Sequence, residues 1–373
     1  MNPRQRLFAI LNGEPLDHVP VWLLFPYHRT SYYGDVRCEP SYRQVFEASQ
    51  KYAITLNRRN PRVALFSPEV SEWSEVSQEG EEFIERSCLE YKGRRLCAET
   101  RRQKHATIVK KLLCSEADLE FFCSLPVNQD PAAITAELDA QMPAYRQEMA
   151  EFPLDLGAMM LDLGEPINPL YHVSTPEEYS IWSLTHADLV VDFLERVMVQ
   201  KRLVYRYCLE RRLADVYFMV GSELASPPLV SRKTFLRWIV PYAQELISLC
   251  HQHGAKVIQH YHGFIKQILP DFLTMAPDAL HTIEAPPVGN CTFTQAFEVV
   301  GEKIVLIGNI QYDEFRAFTP EQMAAAVRAV LDECRGRRLI LSPSAGPYEE
   351  KLPEYISQNY LAFMQAAWEY PWE

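Results

Sequence analysis

The chain has 373 residues, 47% hydrophobic and 23% charged, a make-up that supplies a core for one large domain or two ordinary ones. Its formal net charge of −12 excludes a generic nucleic-acid surface, which needs a basic patch. No run approaches ~20 apolar residues, and MNPRQRLFAILNGEPLDH lacks the apolar stretch of a signal peptide, so a cytoplasmic protein with no membrane partner is expected.

In chain order, short apolar runs alternate with longer helical patterns. VPVWLLF (19–25) and YAITLN (52–57) are the first two predicted strands. From about 64 to 125 the rhythm breaks: EEFIERSCLEYKGRRLCAETRRQKHATIVKKL reads as short β-strands around a Lys-Gly turn, an excursion rather than an independent domain. LGAMMLDLG (156–164) resumes the pattern, and DVYFMVGSE (215–223) follows it. Next comes SRKTFLRWIVPYAQELISLCHQHG (231–254), predicted as a helix with Ser231 as N-cap, a kink at Pro241 and Gly254 at its C-terminal end. AKVIQHYH (255–262), ALHTIEAP (279–286), KIVLIGNI (303–310) and RLILSPSA (338–345) each precede a further helical stretch. Eight strands alternating with helices predict an α/β protein, a (β/α)8 TIM barrel spanning 1–373 as a single domain, with a small β-rich insertion between strands 2 and 3. An open doubly wound sheet is the alternative, but no strand leads into a GxGxxG or GxxxxGK[ST] phosphate loop. The nine cysteines are scattered, with no CxxC pair, and are expected to be free thiols rather than a disulfide framework.

Chemistry in such barrels sits at the C-terminal ends of the strands. The polar residues predicted there are Arg29, Arg58, Arg59, Asp162, Glu165, Glu223, His260, His262, Glu284, Asn309, Ser342 and Ser344. Some polar residue falls near almost any strand end, so the pair in His260-Tyr261-His262 is the sharper signal. Alternate residues of a strand share a side, which turns both imidazoles to the barrel mouth and Tyr261 to the helices. Two imidazoles and a carboxylate, from Glu223 or Glu284, make a common catalytic zinc set; without metal, the same histidines would hydrogen-bond substrate or neighbouring carboxylates. His251 and His253 lie at a helix end, where charge near the last carbonyls is sufficient explanation. Arg58, Arg59 and Arg62 are either a solvated face or donors to an anionic substrate.

The segments RQRLFAILNGEPLDHVPVW, PPLVSRKTFLRWIVPYAQEL, HYHG, IEAPPVGN, VLIGNI and LSPSAGPYEE, with the closing NYLAFMQAAWEY, resemble the uroporphyrinogen decarboxylase-like superfamily over most of the chain. That superfamily contains both the decarboxylases and the corrinoid-dependent methyltransferases that use a zinc-bound thiolate, and it has the same barrel. The decarboxylases carry two carboxylate-binding arginines after the segment similar to PVW; here Phe25 stands at the first and Arg29 at the second. Their essential aspartate has no counterpart in ITLNRRNPR. The methyltransferases resemble HYHG with a His-x-Cys-Gly zinc motif and a further cysteine after the last strand. This chain keeps His260, has His262 for the first cysteine and has Ala345 where the last would be. A thiol-activating site is therefore not implied. A His/His/carboxylate site is harder and suits an oxygen-bearing substrate.

Three readings follow. The first is a metal-dependent methyltransferase moving a methyl group between a small methoxylated or methylated substrate and a corrinoid protein. Zinc would be held by His260, His262 and Glu223, with Glu284 also catalytic and Arg29, Arg58, Arg59, Asn309 and Tyr348 on the substrate. The second is a cofactor-free decarboxylase of uroporphyrinogen or another polycarboxylate, with Asp162 or Glu165 stabilising a protonated intermediate. The third is a non-catalytic binding protein for a tetrapyrrole or other small ligand. The resemblance also implies a homodimer.

Overall fold

The computed structural model describes residues 1–80, 82–103 and 106–372. Its strands are β1 (Thr55–Arg59), β2 (Ser71–Glu79), β3 (Glu82–Tyr91), β4 (Arg94–Arg102), β5 (Thr107–Lys110), β6 (Gly157–Leu161), β7 (Val216–Met219), β8 (Lys256–His260), β9 (Ala279–His281), β10 (Val305–Ile310) and β11 (Leu339–Pro343). Seven of them form one parallel sheet in the order β1-β6-β7-β8-β9-β10-β11, with helices in the connections. The sheet curls until its edges meet through a short segment near the N-terminus. Val21 bridges Leu341 of β11, and Trp22 bridges Ile54 just before β1, both in parallel. Three backbone bonds of 2.7 to 2.9 Å secure this closure.

The first predicted strand, 19–25, is thus only a two-residue bridge. Pro20 has no N–H to give a neighbour, and Leu24 sits at φ 61°, outside the extended region. The barrel interior is filled by side chains of one parity: Leu56, Met160, Val216, Phe218, Ile258, Ala279, Ile307 and Ile340 pack with Trp22 and Leu24. The opposite parity, including Val257 and Tyr261, packs under the helices. The helix predicted over 231–254 is two, Arg232–Trp238 and Val240–Gln252. Pro241 removes a donor and crowds the carbonyl one turn back, so the expected kink becomes a break at Ile239. Ser231 caps the first of these helices, accepting from Thr234 N–H at 3.1 Å.

The excursion between the second and third barrel positions is a four-stranded antiparallel sheet, β2-β3-β4-β5. Lys92 and Gly93 both take positive φ, 48° and 80°, the two-residue turn whose twist matches its flanking strands. This register sets Cys88 of β3 opposite Cys97 of β4, and the two are bonded as a disulfide. The expectation of free thiols therefore fails at this pair and holds for the other seven. A cross-strand pair equidistant from a tight turn was the signal, and a search for CxxC does not find it. Among the described residues no helix is long and apolar enough to cross a membrane.

Candidate functional site

Apart from Lys256 at the start of β8, the interior parity carries its polar residues in the top layer. Arg58 lies two residues beyond Leu56 in β1, His260 two beyond Ile258 in β8, and His281 two beyond Ala279 in β9. The strand register sets His260 directly beside His281. Their rings lie edge to edge and nearly coplanar, with centres 4.8 Å apart and 18° between planes, and their Nδ1 atoms are 2.6 Å apart. His281 Nε2 lies 3.2 Å from the Pro343 carbonyl oxygen, at the end of β11. Phe218 and Trp22 flank the pair, each with its ring centre 5.5 Å from one imidazole. Desolvation, helped by the positive charge of His262, lowers the pKa of His281 to about 3 and that of His260 well below the ordinary range. Burial therefore favours the neutral form of both rings.

His262 behaves oppositely. It follows the strand end, with its ring centre 4.4 Å from that of His260, and its Nδ1 meets Glu284 Oε1 at 3.3 Å. Burial alone would lower its pKa, but the hydrogen bond and charge of Glu284, with the charge of Glu223, raise it. Glu284 moves the other way. Its burial is outweighed by His262 and by the Gly263 N–H, which donates to Oε2 at 2.7 Å, so the carboxyl is held below the usual range. Glu223 accepts from the Gly221 N–H at 2.6 Å. Gly221 is needed there: its φ is +108°, and a Cβ would lie 2.2 Å from the Tyr171 hydroxyl.

The three histidines border a cavity of about 50 Å³ whose other walls are largely apolar or aromatic, including Leu24, Tyr33, Met160 and Tyr348. Ser344 and Ala345 also line it. Among the described residues, its cationic wall residue apart from histidine is Arg58, whose guanidinium sits 4.9 Å from the ring centres of both Tyr32 and Phe218. Arg58 is paired with Asp162. Asp162 also accepts from Asn60 Nδ2 at 2.9 Å and from the Gly164 N–H at 3.2 Å. Beyond Arg58 lies a polar groove reached by Asn60, Arg62, Asn168, Lys201 and Glu223. Lys201 donates to the Leu163 carbonyl, and desolvation lowers its pKa to about 8. Glu165 is buried beside this groove and accepts from the Ser222 hydroxyl; burial raises its pKa to about 7.

The structure therefore brings together Arg58, His260, His262, Glu284 and Tyr348 around one cavity or its rim. It separates the rest. Arg59 is committed to Glu148, with Nε 2.6 Å from a carboxylate oxygen, and Arg29 is exposed on an outer pocket with Tyr32 and Glu350. Asn309, opposite Ser342 in β10, is not among the cavity-lining residues. The expected zinc set of His260, His262 and Glu223 is not assembled. His260 turns Nδ1 to His281, His262 turns Nδ1 to Glu284, and Glu223 is engaged by Gly221. Among the described residues no group of three or more His, Cys, Asp or Glu side chains is placed to hold a metal ion. His281 is the residue sequence reasoning missed, because the strand was carried on to Glu284. Its parity with Ala279, one strand over from His260, would have found it. His251 and His253 stay outside the site: His251 pairs with Asp278 at 2.8 Å, before the start of β9.

Residues 173–370 match the family model described as Uroporphyrinogen decarboxylase (URO-D). Among solved structures, a methyltransferase from Methanosarcina mazei aligns over 98% of both chains with a TM-score of 0.61 at 16% identity, a likeness of fold. A B12-independent methionine synthase from Shewanella sp. W3-18-1 aligns over 95% of this chain and 94% of its own, at a TM-score of 0.43 and 12% identity. No curated protein sequence matches the chain significantly. The family match spans more than half of the chain and includes β7 to β11, with all three cavity histidines and Glu284. The chain belongs to the uroporphyrinogen decarboxylase (URO-D) family.

Proposed function

We propose that the protein transfers a methyl group from a small methoxylated or methylated substrate to a corrinoid protein, with His262 as the proton donor to the leaving atom. The observation that carries this reading is the cavity itself: small, walled by aromatic and apolar side chains, with His262 beside the Glu284 carboxylate at its edge. A polycarboxylate as large as a tetrapyrrole needs several free cations. Here Arg58 is tied to Asp162, Arg59 to Glu148, and Arg29 lies outside. A methyltransferase stands among the fold's likenesses, which is consistent with the reading.

In this scheme the methyl–oxygen bond breaks, the methyl group passes to the nucleophile, and the bonding electrons stay on oxygen. The corrinoid of the partner protein would supply that nucleophile. His262 protonates the oxygen as its charge develops, and Glu284 stabilises the imidazolium before transfer. Trp22, Phe218 and Tyr33 line the cavity and would exclude water from the methyl group. No step is routed through zinc, since among the described residues the expected ligands are not brought together.

The test is incubation of the protein with free cob(I)alamin and a panel of methoxybenzenes and methylamines, following loss of the cob(I)alamin absorbance and formation of the demethylated product. Turnover is expected with at least one substrate. His262→Gln should reduce it about 10²- to 10⁴-fold, the usual contribution of a general acid. Absence of methyl transfer throughout, together with loss of carbon dioxide from uroporphyrinogen, would establish the decarboxylase instead. Tetrapyrrole binding without turnover would leave a binding protein.

A further inference from the structure

We infer that the polar groove beside the cavity binds a single carboxylate of the substrate through Lys201 and Arg62, so that the substrate is a small monoanion with its methyl group at the other end. This deepens the methyl-transfer reading and rests on it for which end enters the cavity. The two spaces share Arg58 and Val220 as walls, and they measure about 50 Å³ at the histidines and about 590 Å³ in the groove. The smaller takes the methyl-bearing end, and the body of the ligand lies in the larger.

Helix periodicity places Lys201. In the helix Ala187–Glu210 the buried stripe runs through Leu194, Val197, Met198, Val204, Tyr205 and Cys208, and Lys201 falls on it. A lysine there carries its charge inward. The ammonium donates to the Leu163 carbonyl, which leaves two of its three N–H groups. Arg58, Arg59 and Arg202 each pair with a carboxylate; among the described residues Lys201 and Arg62 do not. A desolvated ammonium without a counter-ion is costly, and a ligand carboxylate supplies one. Arg62 is exposed on the groove. Gln141 holds its backbone N–H and carbonyl, at 3.0 and 2.7 Å, and leaves the guanidinium fork for a carboxylate. The count of charges sets that of the ligand. Arg58, Arg62 and Lys201 against Asp162 and Glu223 leave one positive charge in excess, and His172, its pKa lowered by burial, adds none. One carboxylate cancels the excess. A phosphate dianion overshoots it, and the several carboxylates of a tetrapyrrole find no partners.

The test is calorimetric titration near neutral pH, without cobalamin, of methoxybenzoates, the matching neutral methoxybenzamides and methoxyphenyl phosphates. The acids should bind about 10- to 100-fold more tightly than the amides, the usual value of hydrogen bonds to a charged group. Lys201→Met should abolish that preference and leave amide binding unchanged. It removes an uncompensated buried charge at similar volume, so the variant is expected to fold. Arg62→Gln, at an exposed position, should reduce the preference by about 2- to 5-fold. Equal binding of acid and amide, no binding of either, or a preference that survives Lys201→Met overturns the subsite. Phosphates that bind as tightly as the acids overturn the single charge. If Lys201→Met does not fold, the wild-type comparison and Arg62→Gln decide. Acid binding without methyl transfer would strike the methyl-transfer reading and leave the subsite; methyl transfer with no preference for acids would do the reverse.

Discussion

Replacing Asp162 with asparagine should cost about 3–5 kcal/mol of stability, the usual result of leaving one member of a buried ion pair alone. The side chains of Arg58 and Asp162 are only 13% and 6% exposed, so water cannot replace the lost partner. Asparagine keeps one acceptor oxygen where three donors converge, from Arg58, Asn60 and Gly164. Its new amide hydrogens must face one of those donors. The aromatic faces of Tyr32 and Phe218 remain around the guanidinium and recover some of the loss, about 0.5–2 kcal/mol. That places the expectation near the lower end of the range. Against a domain stability of roughly 5–15 kcal/mol the effect is large. Arg58→Met combined with Asp162→Asn leaves no buried charge, so the double variant should cost about 1–3 kcal/mol less than the sum of the single ones. Urea unfolding, followed by tryptophan fluorescence and far-UV circular dichroism, measures all three. A cost below about 1 kcal/mol for Asp162→Asn, or additivity within about 0.5 kcal/mol, would refute the claim that this pair holds the wall between cavity and groove.

Two further expectations concern charge and thiols. The raised pKa of His262 and the lowered pKa of Glu284 make their pair stabilising above the folded-state pKa of Glu284 and below that of His262. Its contribution fades as pH rises through the latter, above the ordinary histidine value, or falls through the former, below the ordinary carboxylate value. Glu284→Gln removes the main support of the imidazolium, so the alkaline limb of the pH–rate profile should move to lower pH; an unmoved limb would exclude His262 as the acid. For the cysteines, thiol titration without reductant should find Cys38 and Cys114 reactive in the native protein and seven thiols after unfolding, Cys88 and Cys97 appearing only on reduction. Nine thiols without reductant would contradict the disulfide.

The alternation of apolar runs and helical periods determined the barrel, because period-two strands buried on both faces and amphipathic helices have few ways to pack. KVIQHYH also showed, without coordinates, that His260 sits at a strand end and Tyr261 beneath the helices, since strand parity is a local property. Strand length at VPVWLLF was misjudged because one proline and one positive φ outweigh an apolar run. Pairing across strands was beyond reach for a different reason. His281 meets His260, Asp162 meets Arg58 and Cys88 meets Cys97 through register, and register is set by the whole closed sheet and its turns. The sequence by itself thus determined the family, the fold and the strand end that carries His260 and His262. Only the tertiary structure decided which nitrogen, carboxylate and guanidinium are neighbours, because those contacts join residues that no local pattern links.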